Sequence, residues 1–162
     1  MKTIQEMKER EILTTSQRWV GLLIVVGMLL LFGFLVIHQI KETGFFTTEF
    51  GSMEKLALYG PILVSLIPPI VRAISGHQNP SRPFDAATNL SLAIGSFWLW
   101  SVFPFDFTHL ADILPIGIHF GLAWVTNDVG KFILLLQVLI SPITALSTIW
   151  KYFSVRYSAT AI

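Results

Sequence analysis

The chain has 162 residues and no cysteine. Disulfides, thiolate metal sites, iron–sulfur clusters and thiol nucleophiles are all excluded by that one absence. Charge is scarce too. Asp, Glu, Lys and Arg together make up 13% of the residues, against about 25% in an ordinary soluble domain. A deficit of that size means that much of the surface faces something other than water. The formal net charge is +1, which removes bulk electrostatic attraction as a route to nucleic acid. No P-loop, dinucleotide fingerprint, GxSxG elbow or zinc-protease helix is present. The polar segments are too short to hold a catalytic domain. The sequence therefore predicts a non-enzymatic protein with no resident cofactor.

What the chain has in abundance is apolar sequence, 53% of its residues. A bilayer core requires about 20 consecutive, mostly apolar residues in helical form. Four stretches meet this by inspection, at 19–40, 56–74, 86–105 and 129–153. Each must be a helix, because a lone strand would leave its backbone unpaired in lipid. Thr14-x-x-Gln17 has the pattern of a capping box before the first stretch, and Asn127-Asp128 could cap the fourth. The first stretch is too long for the apolar region of a signal peptide, and no small-x-small site follows it. It is expected to be retained. No internal repeat is visible, so an inverted-repeat transporter is not indicated.

Lys and Arg set the expected orientation. With the N-terminus inside, that side holds Lys2, Lys8, Arg10, Arg18, Arg72, Arg82, Lys151 and Arg156. The outer side holds Lys41, Lys55 and Lys131. Eight against three is a positive-inside bias. Trp19, Trp150 and Tyr152 would mark the inner boundary, and Trp98, Trp100, Phe103 and Trp124 the outer one. The expected fold is thus an all-α membrane protein of four transmembrane helices with both termini cytoplasmic, in the plasma membrane. Residues 1–18 form a cytoplasmic arm, with Glu6 and Arg10 spaced for an i,i+4 pair. The transmembrane domain is 19–153, and 154–162 form a cytoplasmic tail. The outer segment 106–128 contains an apolar run, 113–126, too short to span and too apolar for a free loop. It is expected to lie on the outer surface or to re-enter shallowly.

Candidate sites are few. Asp106, His109 and Asp112, three residues apart, could ligate a divalent ion. A solvated rim on an external loop explains them equally, and is the expectation here. His38 and His119 could in principle hold a haem between helices, although histidine near an interface commonly needs only water or a carbonyl. Pro68 and Pro69 in the second stretch would release successive backbone carbonyls that a neighbouring helix or water must satisfy. Gln137 lies well inside the fourth stretch and must face protein or a wet cavity, with an interhelical hydrogen bond as its default role. Arg72 and Asn89 lie near the inner ends of their stretches, where Arg72 can snorkel. Gly117-x-x-x-Gly121, Ser91-x-x-x-Gly95 and Ser141-x-x-x-Ala145 offer faces for close packing. The expected function is structural: packing in the bilayer with itself or with other membrane subunits. A small channel or transporter using Pro68, Pro69 and Gln137 is the alternative, and a haem- or metal-binding membrane protein the third.

Overall fold

The computed structural model describes residues 11–122 and 124–160, so most of the N-terminal arm, including the Glu6–Arg10 pair, lies outside the described residues. Among the described residues five α-helices make the body: α1 (Thr15–Ile40), α2 (Ser52–Val64), α3 (Ile67–Ser75), α4 (Arg82–Val102) and α5 (Asn127–Thr160). Short 3-10 turns occupy Asn79–Ser81, Phe107–His109 and Ile116–Gly121. Among the described residues there is no strand, only two isolated antiparallel bridges. One joins Ile12 to His77, and the other joins Phe46 to Phe105. Each bridge ties two connecting segments together at one end of the bundle, so residues 11–14 and 76–81 share one end and residues 41–51 and 103–110 the other.

Three of the four expected apolar stretches are apolar enough, as helices, to cross a membrane: Thr15–Ile40, the α2–α3 pair Ser52–Ser75, and Asn127–Tyr157. The remaining one, α4, has 21 residues but carries Thr88, Asn89, Ser91 and Ser96 along its length. Those side chains do not face outward together. Thr88 and Ser96 are buried with Ala86, Gly95 and Leu99. α4 packs most extensively against α5, next against α2, and also touches α3. It is the helix on which α2, α3 and α5 converge, while Ile94 and Phe97 face outward, 72% and 57% exposed. Its lower hydropathy reflects protein neighbours, since a face turned to protein needs no lipid-like side chains.

The helix bounds follow local chemistry. Thr14 caps α1: its hydroxyl accepts from the Gln17 N–H at 3.3 Å, while Gln17 Oε1 accepts from the Thr14 N–H at 2.9 Å, which is the predicted capping box. The second stretch differs from expectation. It is not one helix kinked at its prolines but two, parted at Ser65 and Leu66. Pro68 and Pro69 are the second and third residues of α3, where an N–H would have had no intrahelical partner anyway. The prolines start a helix rather than break one. Of the carbonyls they leave free, that of Val64 accepts the Thr88 hydroxyl of α4 at 3.4 Å. α4 begins a turn earlier than expected because Pro83 suits its first turn. It ends at Phe103, in the left-handed region at φ 44°, just before the buried Pro104. α5 continues through Pro142 and on through the segment expected as a separate tail. Among its described residues, the run 113–126 holds one helical turn, Ile116–Gly121, from which Ile116 and Phe120 project outward, 88% and 78% exposed.

Two glycines are needed where they stand. Gly76 ends α3 with φ 70°, and a Cβ there would lie 1.8 Å from the Arg18 guanidinium. Gly95 of α4 lies against α2, where an added Cβ would meet the Ala57 carbonyl oxygen at 2.4 Å. That carbonyl is the one whose helical donor is missing at Pro61. Of the predicted small-residue faces, Ser141 and Ala145 are buried, whereas a Cβ at Gly117 or Gly121 would touch nothing within 4 Å. Gly95→Ala should destabilise the fold by about 1–3 kcal/mol through overpacking. Gly27→Ala, in open space on α1, should be neutral or stabilising by up to about 1 kcal/mol. Thermal unfolding of the two variants in detergent checks this, and equal melting temperatures would refute the close α2–α4 contact.

Candidate functional site

The two ends of the bundle have opposite chemistry. At the end formed by residues 41–51 and 103–110, phenylalanines fill the space between the loops. Phe45 is 2% exposed, with ring centroids 4.9 Å from Phe46, 5.3 Å from Phe107 and 5.6 Å from Phe105. Backbone bonds lock the two loops: the Asp106 N–H donates to the Phe45 carbonyl at 2.8 Å and the Thr47 N–H to the Pro104 carbonyl at 3.1 Å. His38, 1% exposed, is the polar group inside this plug. Its Nε2 donates to the Leu110 carbonyl at 3.0 Å, a partner that can only accept. Its Nδ1 is 2.6 Å from the Thr43 hydroxyl. Both ring nitrogens are engaged, and His38 thereby ties the end of α1 to the facing loop.

The sequence-predicted site residues are dispersed. His119 donates through Nε2 to the Leu114 carbonyl at 2.8 Å, so it braces the turn that carries it. With both nitrogens of His38 and one of His119 engaged, these residues do not fit a haem. Asp106 caps the turn Phe107–His109, accepting from the Thr108 hydroxyl at 2.7 Å and the Thr108 N–H at 3.1 Å. The Thr108 hydroxyl and amide, with a smaller pull from His109, hold the Asp106 carboxyl below its ordinary value. His109 Nδ1 is 2.8 Å from Asp112 Oδ2, with both side chains nearly half exposed. Among the described residues no three His, Asp or Glu side chains converge on a point where a metal could sit. Gln137 of α5 accepts the Ser96 hydroxyl of α4 at 2.7 Å. Glu54 is buried at the first turn of α2, accepting from the Gly51 N–H and the Trp98 indole, each at 2.9 Å.

The opposite end holds ionic side chains. Arg72 of α3 pairs with Asp85 of α4 through Nη2, while its Nε donates to the Ser81 hydroxyl at 2.9 Å. Ser81, fully buried, also bonds the second Asp85 oxygen at 3.0 Å. Arg72, expected near the inner end of its stretch, thus has a carboxylate partner one helix away. Arg82 donates through Nη2 to Glu11 Oε1 at 2.5 Å, and through Nη1 to Asn79 Oδ1 at 2.9 Å and the Lys151 carbonyl at 3.1 Å. These groups floor a partly open cavity of about 840 Å³. α1 supplies one wall with Gln17, Val20 and Ile24, and α5 the other with Thr144, Thr148 and Lys151. From Arg82 to Asn89 the lining runs seven residues along α4, roughly 10 Å. A cavity of this size suits a small molecule.

The sequence reading missed this site because its members are far apart in the chain and each has an ordinary local explanation. Asp85 fell outside the third apolar stretch, and Glu11 within a polar arm. The one available signal was that Arg72 and Asp85 flank a short loop, HQNPSR, that must bring them together.

The Arg72–Asp85 pair is about a third and a fifth exposed, so breaking it should cost less than a fully buried pair. Arg72→Met should destabilise by about 1–3 kcal/mol, and adding Asp85→Leu should restore part of the loss, because the unpaired carboxylate is the larger penalty. Thermal unfolding of the single and double variants measures this, and a double variant weaker than Arg72→Met would contradict it. The cavity must be read from its own chemistry: no family model matches the chain, no curated protein matches its sequence, and no solved structure matches its fold.

Proposed function

We propose that this chain is a four-crossing integral membrane protein with both ends on the inner side, and that it acts without catalysis, by helix packing, with itself or as an accessory subunit. The observation that carries this reading is the bareness of its apolar helices. Only 11% of the most apolar window of α1, and 11% of that of α5, is buried within the chain. α1 packs chiefly on α3 and leaves Leu23, Leu30 and Ile40 outward, 68%, 69% and 76% exposed. In water such faces would drive aggregation. In lipid they are stable, and they are also the surfaces on which another helix can seat.

The fourth crossing is α4, with its polar side chains turned to its neighbours. The alternation of connecting segments between the two ends supports this, as does the gathering of Arg72, Arg82 and Lys151 at one end, in agreement with the positive-inside bias. The channel reading draws less support. Pro68 and Pro69 are buried at a helix start, Gln137 is held by Ser96, and the phenylalanine plug fills the end opposite the cavity.

Because the chain has no cysteine, single cysteines report contacts without background. Leu23→Cys and Leu30→Cys on α1, and Ile143→Cys and Leu146→Cys on α5, lie on exposed faces. In native membranes at least one should form a disulfide-linked dimer or be captured, by a short thiol-reactive cross-linker, on a second membrane protein. A chain that stays monomeric at all four positions, and moves solute when reconstituted alone in liposomes, would overturn the packing reading.

A further inference from the structure

Two groups in the ionic cavity have unused capacity. Glu11 Oε2 is buried and has no hydrogen-bond partner among the described residues, although Oε1 of the same carboxylate is held by Arg82. Lys151 lines the same cavity and enters no ion pair among the described residues. Arg72 commits Nε and Nη2 and leaves Nη1 without an acceptor among the described residues. The lining holds three cations (Arg72, Arg82, Lys151) and two anions (Glu11, Asp85). Two internal pairs, Arg72–Asp85 and Arg82–Glu11, account for all but Lys151. What is left over is one acceptor oxygen and one cation.

A simple anion would satisfy Lys151 and leave the Glu11 oxygen facing like charge. A simple cation would do the reverse. We propose that the cavity binds a zwitterion carrying an ammonium and an anionic oxygen group, the ammonium on Glu11 Oε2 and the anion between Lys151 and Arg72. Above this floor, Val20 and Ile24 of α1 give an apolar wall, and α1 and α5 barely touch each other. If the chain is membrane-embedded, as proposed above, the gap between these helices admits a phospholipid headgroup of the ethanolamine type. A free zwitterion entering from the aqueous end would supply the same chemistry.

The test uses the full chain purified in detergent and three probes: dihexanoyl-phosphatidylethanolamine, dihexanoyl-phosphatidylglycerol and free phosphoethanolamine, titrated by calorimetry. The ethanolamine lipid should bind. Glu11→Gln should weaken it about tenfold, the loss of one charge-assisted hydrogen bond, and leave the glycerol lipid unchanged. Lys151→Met should weaken both lipids, and its exposed position makes misfolding a poor explanation. Free phosphoethanolamine binding as tightly as the lipid would assign the soluble source, and weaker binding the bilayer source. Absence of binding by either ethanolamine probe, or a folded Glu11→Gln with unchanged affinity, would overturn the proposal. Alkaline extraction of native membranes separates the two readings. A chain that stays in the membrane yet binds no zwitterion refutes this inference alone, whereas a chain released into solution refutes the membrane reading.

Discussion

A polar group carried away from the ends of this bundle must find its partner inside the protein, because an apolar surround supplies none. The architecture follows from that constraint, and α4 carries most of it. Asp85 meets Arg72 of α3, Thr88 meets the Val64 carbonyl of α2, Ser96 meets Gln137 of α5, and Trp98 meets Glu54 of α2. Four polar positions on one helix thus join it to three others. The small residues complete the arrangement. Gly95 lets α4 approach the Ala57 carbonyl, and Ser141 and Ala145 are buried on α5. In an apolar surround, where burial of greasy side chains gives little preference for one helix arrangement over another, such bonds and close contacts decide which faces meet.

The two ends then solve different problems. At one, eleven residues after α1 and a few after α4 form a plug of stacked phenylalanines with His38 at its base. Aromatic burial is strong here, and a single histidine with both nitrogens bonded fixes the geometry. At the other end, four ionic side chains in two pairs connect α3, α4 and the segment before α1, and they leave a cavity where helices that share few contacts diverge. A sealed end and a wet end favour a site entered from one side.

Much of the helical content was legible in the sequence: the long apolar runs and the Thr14–Gln17 capping box appear, whereas Asn127 is already the first residue of α5, its side chain accepts the Phe107 N–H, and it is the Thr126 hydroxyl that accepts the Val129 N–H. The second stretch is apolar enough to cross, as expected, but Ser65 and Leu66 give no warning in the sequence that it divides there into two helices. α4 departs from the other three expected stretches, which alone are apolar enough to cross a membrane. A hydropathy sum cannot tell side chains that face protein from those that face lipid, and only packing separates them. The cavity was invisible for a related reason. Glu11, Arg72, Asp85 and Lys151 span most of the chain length, and no local pattern links them. By contrast, Asp106, His109 and Asp112 drew notice through regular spacing, yet Asp106 caps its own turn while His109 and Asp112 pair at the surface.

The central claim of the proposed function is that α4 crosses the membrane with its polar side chains turned to its neighbours. Residues 80 and 108 flank it, both exposed, in a chain without native cysteine. Pro80→Cys and Thr108→Cys, each tested in sealed cells with a membrane-impermeant thiol reagent before and after permeabilisation, report their sides directly. The account predicts that Thr108→Cys reacts in intact cells and Pro80→Cys only after permeabilisation. Labelling of both positions from the same side would contradict it.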